Sequence, residues 1–151
     1  MAELSYLPEH LGRIIDGLSD GQMLKLKKTL AQKLRNNQKK RITAQQNVDG
    51  STYTPKKPQR KRKGQRVRKK MMNTIKNAKH MKIKHSKEGF AIGYVGRMAQ
   101  IAQVHQYGLT ARIGDKRGTT AVYPVRELLG ISDDDKQMMD EMVLEYLDGI
   151  L

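Results

Sequence analysis

The stretch Ala99 to Gly108, A-Q-I-A-Q-V-H-Q-Y-G, reads as a short helix closed by a glycine. Ile101, Ala102 and His105 stand at i, i+1 and i+4, which predicts that they share one face. Val104 flanks that face and Tyr107 adds a large ring. Gly108 stands where a left-handed C-terminal cap is required, a conformation glycine adopts without a Cβ clash. Upstream of this helix the chain is basic. Downstream come short strands and then an acidic helix, so the helix is placed at the hinge of the fold.

Working outward towards the N-terminus, Leu4, Leu7, Leu11, Ile14, Ile15 and Leu18 recur at three- and four-residue spacing and predict a first helix over Leu7–Leu18. Ser19-Asp20-Gly21-Gln22 matches the S-x-x-Q capping box. A second helix follows, with Met23, Leu26, Leu30, Leu34 and Ile42 on one face, and Lys25, Lys27, Lys28, Lys33, Arg35, Lys39, Lys40 and Arg41 on the others. It is expected to persist to Gln46 and to form a hairpin with the first. Asp49-Gly50 and the prolines at 55 and 58 mark turns and extended chain. A third helix is expected over Arg66–Lys79, with Met71, Met72, Ile75 and Ala78 as its apolar face.

Met81–His85 alternates with period two and pairs in this reading with the more apolar Phe90–Val95 as a hairpin. Beyond Gly108, Leu109–Ile113 and Thr119–Tyr123 are β-like runs around a glycine-bounded loop, a second hairpin. Tyr123–Gly130, Y-P-V-R-E-L-L-G, reads as a short helical turn. Ser132 caps a last helix whose first turn is Asp133, Asp134 and Asp135, carboxylates that complement the helix dipole. Met138, Met139, Met142, Val143, Tyr146 and Leu147 form its apolar stripe. The fold class is therefore α+β: an N-terminal helical hairpin (1–46), a long basic flexible loop (47–65) and a core of small antiparallel sheet, central short helix and C-terminal helix (66–151). The whole forms a single domain.

Of the 151 residues 37% are hydrophobic, with one Phe, six Tyr and no Trp, so the core has to be aliphatic and rich in methionine. Small aromatic-poor cores are often completed by oligomerisation. The absence of cysteine excludes disulfides and thiolate metal sites. No apolar run of membrane-spanning length occurs, and the acidic N-terminus does not read as a secretory signal. The net charge of +15 is segregated: residues 21–87 hold 23 of the 30 Lys and Arg and a single acid, Asp49, whereas both ends are mildly acidic. Such asymmetry favours a polyanion or an acidic protein surface as partner, and lets the ends of one copy meet the middle of the next.

No constellation of residues reads as an enzyme. His10, His80, His85 and His105 lack metal-ligand spacing, and the glycines at 89, 93 and 96 make no phosphate loop. His105 is expected to be a packed histidine with one ring nitrogen bonded locally. No cofactor and no metal are expected. The strongest physical signal is Lys56–Lys63, with six bases in eight residues and no apolar side chain. Lys56, Lys57, Arg60, Lys61, Arg62, Lys63, Arg66 and Arg68 are therefore the candidate partner contacts. They would bind phosphates without sequence preference, as in a nucleic-acid-binding protein contacting DNA through 56–70, or order against acidic protein. No aromatic lies between 54 and 89, which argues against stacking on single strands.

Three motifs in order, R-I-T-A-Q-Q-N-V-D-G-S-T-Y-T-P-K-K (41–57), V-H-Q-Y-G (104–108) and Y-P-V-R-E-L-L-G-I-S (123–132), resemble the phage virion morphogenesis proteins, the tail completion family of P2-like and Mu-like phages. A proline often follows the asparagine in that family; Val48 stands there in this chain. The resemblance spans about Leu4 to Leu147. It implies a structural virion protein, not an enzyme, that finishes the head-proximal end of a tail and readies it for head–tail joining. It further implies a ring subunit, commonly sixfold, whose partners are tail tube or sheath, neck or connector proteins and DNA passing the junction. By the same analogy His105, Gln106, Tyr107 and Gly108 form a turn at the centre of the fold, Pro124 is a structural residue of the family motif, and Arg126 is a buried or interfacial anchor. An assembly chaperone absent from the finished particle is the third reading.

Overall fold

A computed structural model describes residues 17–55, 72, 74–87, 89–112 and 118–150. The element order is α1 (Asp20–Thr43), β1 (Met81–His85), β2 (Phe90–Tyr94), α2 (Gly96–Tyr107), β3 (Thr110–Arg112), β4 (Thr120–Val122) and α3 (Asp133–Ile150). This is an α+β architecture with two separate two-stranded antiparallel sheets. The predicted first helix up to residue 16, the basic stretch 56–70 and the start of the predicted third helix lie outside the described residues.

Helix α1 begins where the capping box predicts. The Ser19 hydroxyl accepts from the Gln22 amide at 3.2 Å, and the Gln22 side chain accepts from the Ser19 amide at 3.0 Å. The helix ends at Thr43 rather than Gln46, because Gln45 takes a left-handed φ of 57° and Gln46 bridges to Thr52. Helix α3 carries an equivalent cap: the Ser132 hydroxyl accepts from the Asp135 amide and the Asp135 carboxylate accepts from the Ser132 amide, both at 3.1 Å.

The core falls into two clusters. Leu26, Leu30, Ala31 and Leu34 of α1 pack with Phe90 of β2 and with Met139, Val143 and Leu147 of α3. Burying each such large aliphatic side chain contributes roughly 1.5–3 kcal/mol. Ile42, Ile75, Met81, Ala102 and Leu128 form the second cluster. In β1–β2 the register sets Met81 opposite Tyr94, Ile83 opposite Ile92 and His85 opposite Phe90, which leaves Lys82 and Lys84 on the other face beside Gly93 and Ala91.

Four further expectations are corrected. Residues 74–79 are turns and not helix: the Asn77 amide bonds to Thr74 O and the His80 amide to Asn77 O, short-range bonds that turn the chain into β1. Ile75 is still buried there, whereas Ala78 is exposed. Residues 123–130 are irregular rather than helical, for a reason given below. Lys27 lies on the buried side of α1, its ammonium donating to Ser86 O at 2.7 Å, so its charge ties the helix to the β1–β2 turn. On α2, Ala102 and His105 are buried but Ile101 faces outward.

Gly108 caps α2 at φ 65°, ψ 48°, in the left-handed region. A Cβ there would lie 2.8 Å from Val125 Cγ2 and 3.2 Å from Tyr123 O. Gly108→Ala is expected to cost about 2–3 kcal/mol, combining backbone strain with the displacement of Val125. A lowered urea midpoint with an unchanged slope checks this.

Candidate functional site

The three motif stretches converge on the irregular segment 123–130. Its backbone runs between the end of α2 and the loop after α1, and it buries Arg126 and Leu128. Buried amides and carbonyls need partners, and a segment without regular structure has to take them from elsewhere. Here side chains supply them. The Gln106 carbonyl oxygen accepts from the amides of Leu128 at 2.7 Å and Leu129 at 3.0 Å, and its amide nitrogen donates to Leu129 O at 2.8 Å. The Asn47 side chain accepts from the Glu127 amide at 2.9 Å, and the Tyr53 hydroxyl donates to Glu127 O. Gln38 donates to Gly130 O at 2.7 Å. These bonds hold the segment in an irregular path, so the helical turn read from the sequence does not form.

Gly130 lies so close to the 47–51 turn that a Cβ would stand 2.4 Å from Val48 Cγ2. The turn itself is made by Asp49, whose carboxylate accepts from the amide and hydroxyl of Ser51. Those bonds lower the Asp49 pKa.

Arg126 is 4% exposed. Its Nε donates to Thr54 O at 2.8 Å and its Nη2 to Pro55 O at 3.3 Å, while its amide donates to His105 O at 2.8 Å. It thereby fixes the last two residues before the basic stretch to the end of α2. The guanidinium meets only carbonyl oxygens in these bonds, and burial lowers its pKa. Burial also raises the Tyr53 pKa to about 12.

His105 is buried with its ring edge against Tyr123, centroids 5.2 Å apart at 70°. Its Nδ1 is buried without a hydrogen-bond partner. Burial first, and the nearby Arg126 charge second, push its pKa down to about 4. Tyr107 is 66% exposed, and Pro124 is half-buried in the segment that passes Gly108. The structure thus gathers His105, Gln106, Gly108 and Arg126 at one place. Lys56, Lys57, Arg60, Lys61, Arg62, Lys63, Arg66 and Arg68 lie outside the described residues.

A second polar junction was not foreseen. Asp135, 4% exposed at the start of α3, accepts from Asn37 at 3.0 Å and pairs with Arg41 at 3.4 Å. Arg41 also donates to Gln38. The i, i+4 spacing of Asn37 and Arg41 on α1 was a legible signal that both could meet one acceptor. This junction lies at one side of an open cleft of about 500 Å³ that the 46–50 turn also lines. Among the described residues no group of three or more His, Asp or Glu is placed to hold a metal ion, and no helix is long and apolar enough to cross a membrane. The arrangement is a structural knot that presents the root of a basic segment.

Comparison with known proteins bears on what that presentation serves. The phage virion morphogenesis family model matches residues 2–148. The tail completion protein S of Escherichia phage P2 is 35% identical over 151 residues, covering 98% of this chain and 99% of the relative. No solved structure matches.

Because the His105 pKa is depressed in the fold, the stability it contributes is complete above about pH 6.5 and is lost as pH falls towards 4. Its ring resonances are expected to report the neutral form down to pH 5 in NMR titration. The urea midpoint should fall less steeply over that window in His105→Gln than in the unaltered chain. Gln106→Leu, which leaves the Leu128 and Leu129 amides without partners, should cost about 2–4 kcal/mol and accelerate hydrogen exchange at those two amides.

Proposed function

The chain belongs to the phage virion morphogenesis family, and from that membership we propose that it completes the head-proximal end of a phage tail and makes the tail competent to join a filled head. The observation that carries this reading is identity to a tail completion protein over essentially the full length of both chains. In this reading the protein is a structural component of the virion at the head–tail junction, acts as a ring subunit with sixfold symmetry, and catalyses no reaction. Its neighbours are the tail tube or sheath below and the neck or connector above.

The physical organisation supports the role. A charge of opposite sign on different parts of one chain suits contacts between unlike surfaces, which a closed ring requires. Arg126 holds Thr54 and Pro55, so whatever the basic residues 56–70 contact is tied through two hydrogen bonds to the body of the subunit. Those residues serve as the contact to tail or neck protein, or to DNA at the junction.

Phage deprived of this protein should make filled heads and separate tails that fail to join. Electron microscopy of lysates checks this, and joined particles of normal length would overturn it. Replacing Arg60, Lys61, Arg62 and Lys63 together with Ser should block joining while the thermal transition stays unchanged. If the same change abolishes tight, steeply salt-dependent duplex binding in a filter assay, the nucleic-acid reading gains instead.

A further inference from the structure

The outward faces of the two long helices carry opposite charge. On α3, Glu141, Leu144, Glu145 and Asp148 recur at i, i+3, i+4 and i+7 and share one face. All four are exposed, Leu144 by 46%, and Asp134 continues the same face one heptad earlier. On α1, Lys25, Lys28, Lys33 and Lys40 are exposed, and the helix contains a single acid, Asp20, at its first residue. Leu24, 42% exposed, stands beside Lys25 and one turn before Lys28.

These faces belong to neighbouring helices. Helices α1 and α3 pack antiparallel: the Tyr146 hydroxyl donates to Gln22 O at one end, and Asp135 meets Asn37 and Arg41 at the other. Even so, the ion pairs among the described residues are Arg41–Asp135 and Lys136–Asp133. None joins an exposed lysine of α1 to Glu141, Glu145 or Asp148. Lys25 and Glu145 line the same open cleft between the helices without pairing.

Two unlike and complementary ridges, each with an exposed leucine, thus lie on neighbouring helices of one body. Among the described residues no ion pair joins the two ridges within one chain, and a second copy would set each ridge against its opposite. We propose that copies of this chain associate head to tail, the acidic ridge of α3 on one copy seated against the lysine ridge of α1 on the next. The inference rests on the ring-subunit reading above and names its contact. A heterologous contact of this kind propagates until it closes. Exposed ion pairs are individually weak and screened by salt, so the charges set partner and orientation while Leu24 and Leu144 supply apolar contact.

Sedimentation velocity of the full-length protein tests it. Association is expected at low salt and should weaken at least about tenfold between roughly 50 mM and 500 mM NaCl. Two charge-reversal variants, E141K/E145K/D148K and K25E/K28E/K33E, should each stay monomeric where the unaltered chain associates, with unchanged helical circular dichroism. Mixed in equal amounts they should assemble again, because alternating copies restore opposite charge at every contact. An unaltered chain that is monomeric throughout, a variant that associates normally, or a mixture that stays monomeric would overturn the proposal. Loss in the α3 variant alone would assign the acidic ridge to another occupant, such as the basic residues 56–70, and would overturn it too. If a reversal variant does not fold, Leu144→Ser and E141Q/E145Q give the same readout with milder changes, and normal association in both would overturn the contact. Tail completion is scored separately in phage lacking the protein. Self-association without rescue of tails would overturn the functional reading and leave the contact standing, and rescue by a chain that never associates would do the reverse.

Discussion

Residues 123–130 lack regular structure yet bury Arg126 and Leu128, and the peptide groups around those side chains need partners that secondary structure does not provide. Gln106, Asn47, Tyr53 and Gln38 meet that need from three different parts of the chain. Once the segment is held, Leu128 reaches the cluster of Ile42, Ile75, Met81 and Ala102, and Arg126 reaches the carbonyls of Thr54 and Pro55. The position of α3 follows, because the segment delivers Ser132 and Asp135 to the Asn37–Arg41 end of α1. An unpaired buried amide costs about 1–3 kcal/mol, which is enough to make these side chains determinants of the fold and not decorations on it.

The same knot links the body to the basic segment. Arg126 is buried among carbonyl oxygens, and His105 beside it is kept neutral by burial and by that guanidinium. A neutral ring in a tight site suits a fixed root, since a second positive charge there would oppose Arg126. The chain that carries this knot belongs to the phage virion morphogenesis family.

Much of this was legible residue by residue. The S-x-x-Q box set the start of α1, the alternation in Met81–His85 set β1, and Gly108 set the end of α2. The stripe from Met138 to Leu147 set the buried side of α3. Each of these signals is local, and its physical cause lies within a turn or two of the residue that carries it. The described part, 74–79, of the helix expected over Arg66–Lys79 and the helical turn expected over 123–130 failed for a shared reason. Both segments contain apolar residues at helix-like spacing, and in both the burial is real, as Ile75 and Leu128 show. Burial did not require helix once other groups took the backbone bonds.

The amino-acid sequence by itself determined the start of α1, the β1–β2 hairpin, the glycine cap of α2, the stripe of α3, the segregation of charge and the family resemblance, because those are set by neighbours in the chain and by composition. Tertiary structure alone decided that Lys27 is buried against Ser86, that Gln106 reads the backbone of Leu128 and Leu129, and that Arg126 grips Thr54 across 72 residues. In each case the partner is a main-chain carbonyl or amide. Every residue offers such groups alike, so which one is met depends on where the packed helices and strands carry the chain, and not on side-chain identity.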